Sequence, residues 1–463
     1  MLTKKRNISG FVIIAIVQIV LLLLLPEDDV FPSKDWSERI AVYSFLILLF
    51  QLLALRYVLP PKTILMPAFL VLSYFFTISQ VVLNAFGYQL PGSLEFASVF
   101  KQNNVAYATN VSIKGIATFF LGIVAYYTFL IKKEKKDVVQ TRRLRQPNIM
   151  FVFVVVALGF VFDLANTIYM GITLGYGEVE GNQITIILKI LSLLLPSGIA
   201  LLLTRETLSS SFKLNVLIVF VLYKFFCMFL GYRAYALINI ILAIYLYSKL
   251  NNKLNFSIKK ILTYGFVGVF LSIVLVTIKD YRKTGFDLDF IVERAGSSGF
   301  SSIFEVLAEN GITLHVVCVV LDEMRGIGTG GGQLVASILS IVPGISSLLP
   351  SYKFEDMVMD SALSLRQAGG SYIADMIFDF GDPGYLVALF LLAILYCKII
   401  GTFERSINNG RFIYVSVMFP IIVDMFFCIR SSLAKLPREI VWYFLIFYAL
   451  WIILCGRGFK MKL

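Results

Sequence analysis

Apolar residues arrive along this chain in long runs, with polar residues clustered briefly between them. "GFVIIAIVQIVLLLLLP" at residues 10–26 sets the pattern. There are twelve such stretches in all, near 8–25, 39–55, 63–86, 109–131, 148–170, 184–204, 214–231, 234–249, 260–278, 384–400, 412–429 and 439–456. A helix needs roughly 20 apolar residues to cross about 30 Å of hydrocarbon. There every backbone amide must be satisfied inside its own segment. The pattern predicts an all-α polytopic integral membrane protein of about twelve transmembrane helices.

The spacing divides the chain into three parts. Residues 1–278 hold nine helices, 279–383 form one long connection, and 384–463 hold three more. Within the connection, "ITLHVVCVVLD" and "QLVASILSIVPGISSLLP" are apolar but short or broken by Pro and Gly, so they read as interfacial or re-entrant pieces. "GTGGGQ" at 328–333 reads as a flexible hinge, since no phosphate-loop Gly-Lys-Ser/Thr follows it.

Charge then assigns the sides. Alternate loops carry "KKEKKDVVQTRRLR", Arg205 with Lys213, "KLNNK", and the tail "RGFKMKL", all on the side of Lys4, Lys5 and Arg6. The opposite loops include the net acidic "PEDDVFPSKDWSE" and "GITLGYGEVEGNQ", which has no Lys or Arg. By the positive-inside rule both termini are expected in the cytoplasm. The first segment lacks a small-residue cleavage site and is expected to be a retained helix. The net charge of +12 then reads as topology and attraction to anionic lipid headgroups, without nucleic acid.

Composition agrees: 58% of residues are hydrophobic and 15% charged, against about 45–50% and about 25% in soluble domains. The five cysteines are scattered without CxxC spacing and read as small core residues.

Candidate chemistry lies where charge resists this background. "FCMFLGYRAYALINIILAIYL" at 226–246 contains one cation, Arg233, whose guanidinium cannot shed its charge. Lys114, Asp163, Lys189, Lys224 and Asp424 fall within spans, all in the expected outer halves, and suggest one polar cavity opening outward. Further cations stand at outer span ends: Arg282 and Lys283 in "KDYRK", and Arg430, Lys435 and Arg438 in "CIRSSLAKLPRE". Arginine's planar fork suits bidentate phosphate binding. A single arginine at a helix end is more often a snorkelling anchor, with Arg233 set apart by its apolar neighbours and short connection, and the intramembrane Lys and Asp residues can equally pair with one another. His315, the single histidine, reads first as a structural residue. Asp287 and Asp289 in "FDLDF" form a DxD too common to argue for a metal.

"GYRAY", "KDYRK", the late "IRSSLAKLPRE" and the segment "GGSYIADMIFDFGDPGYLVALFLL" resemble the Wzy-type O-antigen and enterobacterial-common-antigen polymerases. That resemblance implies a lipid-carrier-dependent, GT-C-like membrane glycosyltransferase of the bacterial cytoplasmic membrane. It would move a growing glycan from undecaprenyl diphosphate to the non-reducing end of a new lipid-linked unit, without metal or cofactor and with inversion. Both donor and acceptor would be carrier-linked oligosaccharides, with a chain-length regulator and a flippase as candidate partners.

It further implies catalytic roles for Arg233 and Arg282 first, then for Arg430 and Arg438; from their own positions, Lys224, Lys283, Tyr232, Tyr281 and His315 are the expected substrate contacts. Tyr88, Tyr176 and Tyr372 are further outer aromatics that could stack on sugars. Glu178, Glu180, Asp163 and His315 stay open as general bases. The alternatives are an O-antigen ligase-like transferase, which would depend on His315, and a flippase or other transporter. A transporter would need polar residues in the inner halves of the spans, which are almost free of charge.

Overall fold

A computed structural model describes residues 2–26, 33–60, 63–88, 103–130, 147–169, 183–230, 233–251, 301–324, 329–349 and 369–455, with 351, 357 and 359. The expected span at 260–278 lies outside these, as do Tyr176, Glu178, Glu180, Tyr232, Tyr281, Arg282, Lys283, Asp287 and Asp289.

Regular structure among the described residues is entirely helical. The helices are α1 (Leu2–Leu23), α2 (Lys34–Val58), α3 (Leu65–Ala85), α4 (Asn103–Ala125, continued as a π-helical turn over Tyr126–Leu130) and α5 (Ile149–Ile168). Next come α6 (Gln183–Ser192), α7 (Leu194–Thr204), α8 (Ser210–Phe229), α9 (Arg233–Leu250), α10 (Ser301–Asn310) and α11 (Ile312–Met324). The last are α12 (Gly332–Leu339), α13 (Ile345–Leu348), α14 (Tyr372–Asn408), α15 (Phe412–Phe427) and α16 (Leu436–Cys455), the last preceded by a 3-10 turn over Leu433–Lys435.

Ten of the described apolar helical runs are long enough to cross a membrane, and Ile8–Leu23 and Phe412–Phe427 are shorter apolar helices. Local sequence sets the starts: Ser33, Asn148 and Ser209 accept from the N–H of Trp36, Met150 and Phe212 at 3.1–3.2 Å, as N-caps do. Pro60 ends α2.

Side-chain links fix how the helices alternate. Asn84 near the end of α3 donates to Ser37 at the start of α2, 2.8 Å. Asn110 on α4 reaches the Pro26 carbonyl after α1, 3.2 Å. Thr167 on α5 lies 3.9 Å from Cys227 on α8. One end of the bundle therefore gathers the starts of α2, α4 and α9 and the ends of α3, α5 and α8. The opposite helix ends carry Arg56, Arg205, Lys249, Arg405 and Arg411.

Two elements differ from the expectation. The first is the apolar run Phe304–Glu323, long enough to span because α10 and α11 are separated by Gly311 alone. It does not run straight. Ser79 and Gln80 on α3 donate to the Leu307 and Ala308 carbonyls, both at 2.8 Å, while His315, eight residues past Leu307, also bonds Gln80. Eight residues of straight helix would advance about 12 Å, so the chain turns at Gly311.

The second is residues 372–380, expected as loop but forming the first leg of α14. Tyr372 packs on Phe69 and Phe119 at 5.5 and 5.6 Å, and Tyr396 from the second leg meets the same rings at 5.4 and 5.8 Å. The two legs thus lie side by side about Gly381, whose φ of 64° and ψ of −178° only glycine adopts readily. The short first leg begins inside the bundle, where Tyr372 N–H donates to the Cys428 carbonyl at 3.1 Å.

Small residues permit the closest helix crossings, as in other membrane bundles. A Cβ on Gly159 of α5 would stand 2.2 Å from the Leu195 backbone nitrogen on α7. Gly159→Ala is therefore expected to destabilise the protein by about 1–3 kcal/mol. Thermal unfolding in detergent, followed by loss of the monodisperse chromatographic peak, measures this; an unchanged midpoint would mean that the crossing is slack.

Candidate functional site

Arg233 is the first residue of α9. Its Nη1 lies 3.3 Å from Oε2 of Glu309, at the last turn of α10. The neighbouring Asn310 accepts from Arg430 Nη1 at 3.1 Å. Arg430 stands in the turn after α15, held from behind because its own carbonyl accepts from Gly370 N–H at 3.1 Å. Three distant segments thereby bring two guanidinium groups and one carboxylate together.

The electrostatics are asymmetric. Arg233 has a carboxylate beside it, whereas Arg430 donates to a neutral amide. Partial burial and the adjacent Arg233 charge lower the proton affinity of Arg430, and Glu309 works against that. Arginine stays charged regardless. The result is a fixed positive field at the end of the bundle where α9 begins.

Beneath this layer lies Tyr235, one residue on from Ala234, its ring 5.2 Å from that of Phe427. Two ionic groups flank it. On one side Lys224 Nζ is 2.8 Å from Asp163 Oδ2, which also accepts from the Tyr223 hydroxyl at 2.6 Å. Lys224 sits 5.4–5.8 Å from the centroids of the Phe220, Tyr223 and Tyr235 rings. On the other side Lys189 pairs with Glu439 at 2.7 Å, next to Asp424.

Four of the five intramembrane charges thus collect around Tyr235 as a packed ionic layer. The expectation of one open cavity holding all five is corrected on both counts. Lys114 lines a separate cavity of about 470 Å³ with Asn110, Thr118, Leu386 and the α1 residues Ile19, Leu22 and Leu23. It is separate because Lys114 faces α1 while the others face the α6–α9 side.

The remaining expected residues fall as follows. Arg438 stands half-buried in the first turn of α16, beside Glu439. His315 is buried, with Nε2 2.7 Å from Gln80 Oε1. Tyr372 is a core aromatic and Tyr88 packs on Phe304. Among the described residues no group of three His, Cys, Asp or Glu side chains is placed to hold a metal ion.

The acidic residues of "GGSYIADMIFDFGDPG" have defined work. Asp375 accepts from Leu433 N–H, the Ser432 hydroxyl and the Gln333 side-chain amide at 2.6, 3.0 and 3.2 Å. Asp379 accepts from the N–H groups of Gln333 and Leu334, both at 2.9 Å, at the start of α12. These bonds tie "GTGGGQ" and the Arg430 turn to the first leg of α14, so that segment is anchored where a free hinge was expected. Glu309 and Asn310 are the residues that sequence reasoning missed. Their signal was faint: a glutamate and an asparagine ending a short helix whose packing on α3 is a tertiary fact.

These features define a multi-pass membrane protein in which two arginines converge at one end of the bundle. A family model described as O-antigen polysaccharide polymerase Wzy matches residues 7–462, and the chain belongs to that family. No curated protein and no solved structure matches it. In general terms it is a glycosyltransferase-like O-antigen repeat-unit polymerase acting on lipid-linked oligosaccharide units in the membrane.

Proposed function

We propose that this protein transfers a growing glycan from undecaprenyl diphosphate to the non-reducing end of a new carrier-linked repeat unit. The reaction takes place at the extracytoplasmic face of the bacterial cytoplasmic membrane, with both termini in the cytoplasm. The observation that carries the reading is the convergence of Arg233 and Arg430, which lie far apart in sequence, on one site. A diphosphate leaves readily once its developing charge is compensated, and preorganised donors in a poorly solvated site supply that compensation. The reaction then needs no metal and proceeds by a single displacement with inversion.

The orientation is supported by the helix ends opposite the site, which carry Arg56, Arg205, Lys249, Arg405 and Arg411. That is the cation excess expected of a cytoplasmic face. Arg282, Lys283, Tyr232 and Tyr281 are proposed to join the site from the adjoining segments, with Arg438 nearby. His315 and Lys224, by contrast, act through packing. A chain-length regulator and a flippase are the proposed partners.

Arg233→Ala is expected to leave a folded membrane protein and to stop elongation, so that single repeat units reach the final acceptor. Arg233→Lys should rescue poorly, because an ammonium cannot reproduce the bidentate fork. Gel analysis of cell-surface glycan reads both, and long polymer in the alanine variant would remove Arg233 from the mechanism.

A further inference from the structure

The reaction just proposed also needs a group to take the proton of the acceptor hydroxyl, and among the described residues Glu309 stands beside both arginines of the site. Glu309 lies 3.3 Å from Arg233, longer than the 2.7–2.9 Å typical of a firm charge-assisted bond. The two side chains keep 22% and 27% of their exposure, so the pair is partly solvated and adds little to stability. Among the described residues, several carboxylates deeper in the bundle hold other groups. Asp163 is bound by Lys224 and Tyr223, and Glu439 by Lys189. Asp375 and Asp379 hold backbone N–H groups. Asp424 is buried beside Lys189, a turn and a half back along α15 from Arg430.

We infer that Glu309 is the general base of the transfer, resting on the polymerase reading above. Arg430 and Arg233 face the leaving diphosphate, and Glu309 faces the acceptor sugar. The acceptor O–H proton passes to the Glu309 carboxylate as the oxygen attacks the anomeric carbon of the donor glycan. The bond from that carbon to the diphosphate oxygen breaks, and its electron pair leaves with undecaprenyl diphosphate. The base works at the end of a helix fixed on α3 through Ser79 and Gln80, which suits a group that must be held within hydrogen-bond reach.

The test uses purified full-length protein with a synthetic oligosaccharide repeat unit on undecaprenyl diphosphate. Glu309→Gln keeps the shape and can still accept from Arg233. It should elute like wild type and retain the lipid diphosphate, yet polymerise about 10²–10⁴-fold more slowly. Glu309→Ala should be equally slow and speed up on adding formate, a response that a merely structural residue would not give. A glutamine variant within threefold of wild type, or an alanine variant indifferent to formate, would overturn the inference. If the glutamine variant aggregates, Glu309→Asp decides: a drop of about tenfold or more supports the role, and an unchanged rate overturns it. Wild-type protein that makes no polymer would instead overturn the polymerase reading itself.

Discussion

Arg430→Ala is expected to slow glycan transfer by about 10²–10³-fold, the range seen when one preorganised donor is removed from a site of developing negative charge. The guanidinium is oriented from two sides, by Asn310 at 3.1 Å and by the anchoring of its own carbonyl on Gly370. It donates to a neutral acceptor, so much of its charge remains available to a ligand. Little else should change. The turn is held by Asp375, which accepts from Leu433 and Ser432 independently of the Arg430 side chain. The variant should therefore fold, insert and bind the acceptor unit, while release of lipid diphosphate falls with polymer formation. Arg430→Lys should recover less than a tenth of the lost rate. A rate assay on purified variants checks this, and near-wild-type transfer by Arg430→Ala would take the residue out of the site.

Lys224→Ala should have the largest effect on stability. The pair it forms with Asp163 is 2% and 5% exposed, at 2.8 Å. Removing one partner leaves an uncompensated carboxylate in a low-dielectric interior, at a cost of about 3–5 kcal/mol. Tyr223 still donates to that carboxylate but cannot neutralise it. Replacing both, as Asp163→Asn with Lys224→Met, should recover most of the loss, because no buried charge then remains. Thermal unfolding in detergent of Asp163→Asn, Lys224→Met and the double variant beside wild type measures the cycle. The double variant also separates packing from substrate contact: it should polymerise normally if Lys224 is structural, and a stable but inactive double variant would return Lys224 to the site.

The helices were legible because a bilayer admits few alternatives, so apolar length alone marks a span. Arg233 and Arg430 were legible for a related reason: a permanent charge in apolar surroundings costs enough to need a partner. What pairs with what was not. Asp163 and Lys224 lie 61 residues apart, and their bond is made by the parallel ends of α5 and α8. Glu309 gave no such warning, since a glutamate on a short polar helix is ordinary until Gly311 turns the chain back along α3. The first leg of α14 was missed because nine residues before Gly381 are too few to register as an apolar span. Asp375 and Asp379 stood out as a motif, but their work as acceptors for the Arg430 turn and for α12 needed the structure.

The most direct test of the account is reconstitution of the purified protein in vesicles with one defined repeat unit on undecaprenyl diphosphate and nothing else. The account predicts a ladder of glycans growing by whole units, with one undecaprenyl diphosphate released per bond, undiminished by a chelator and lost in the Arg233 and Arg430 variants. Movement of the intact lipid-linked unit across the bilayer with no new glycosidic bond would contradict it.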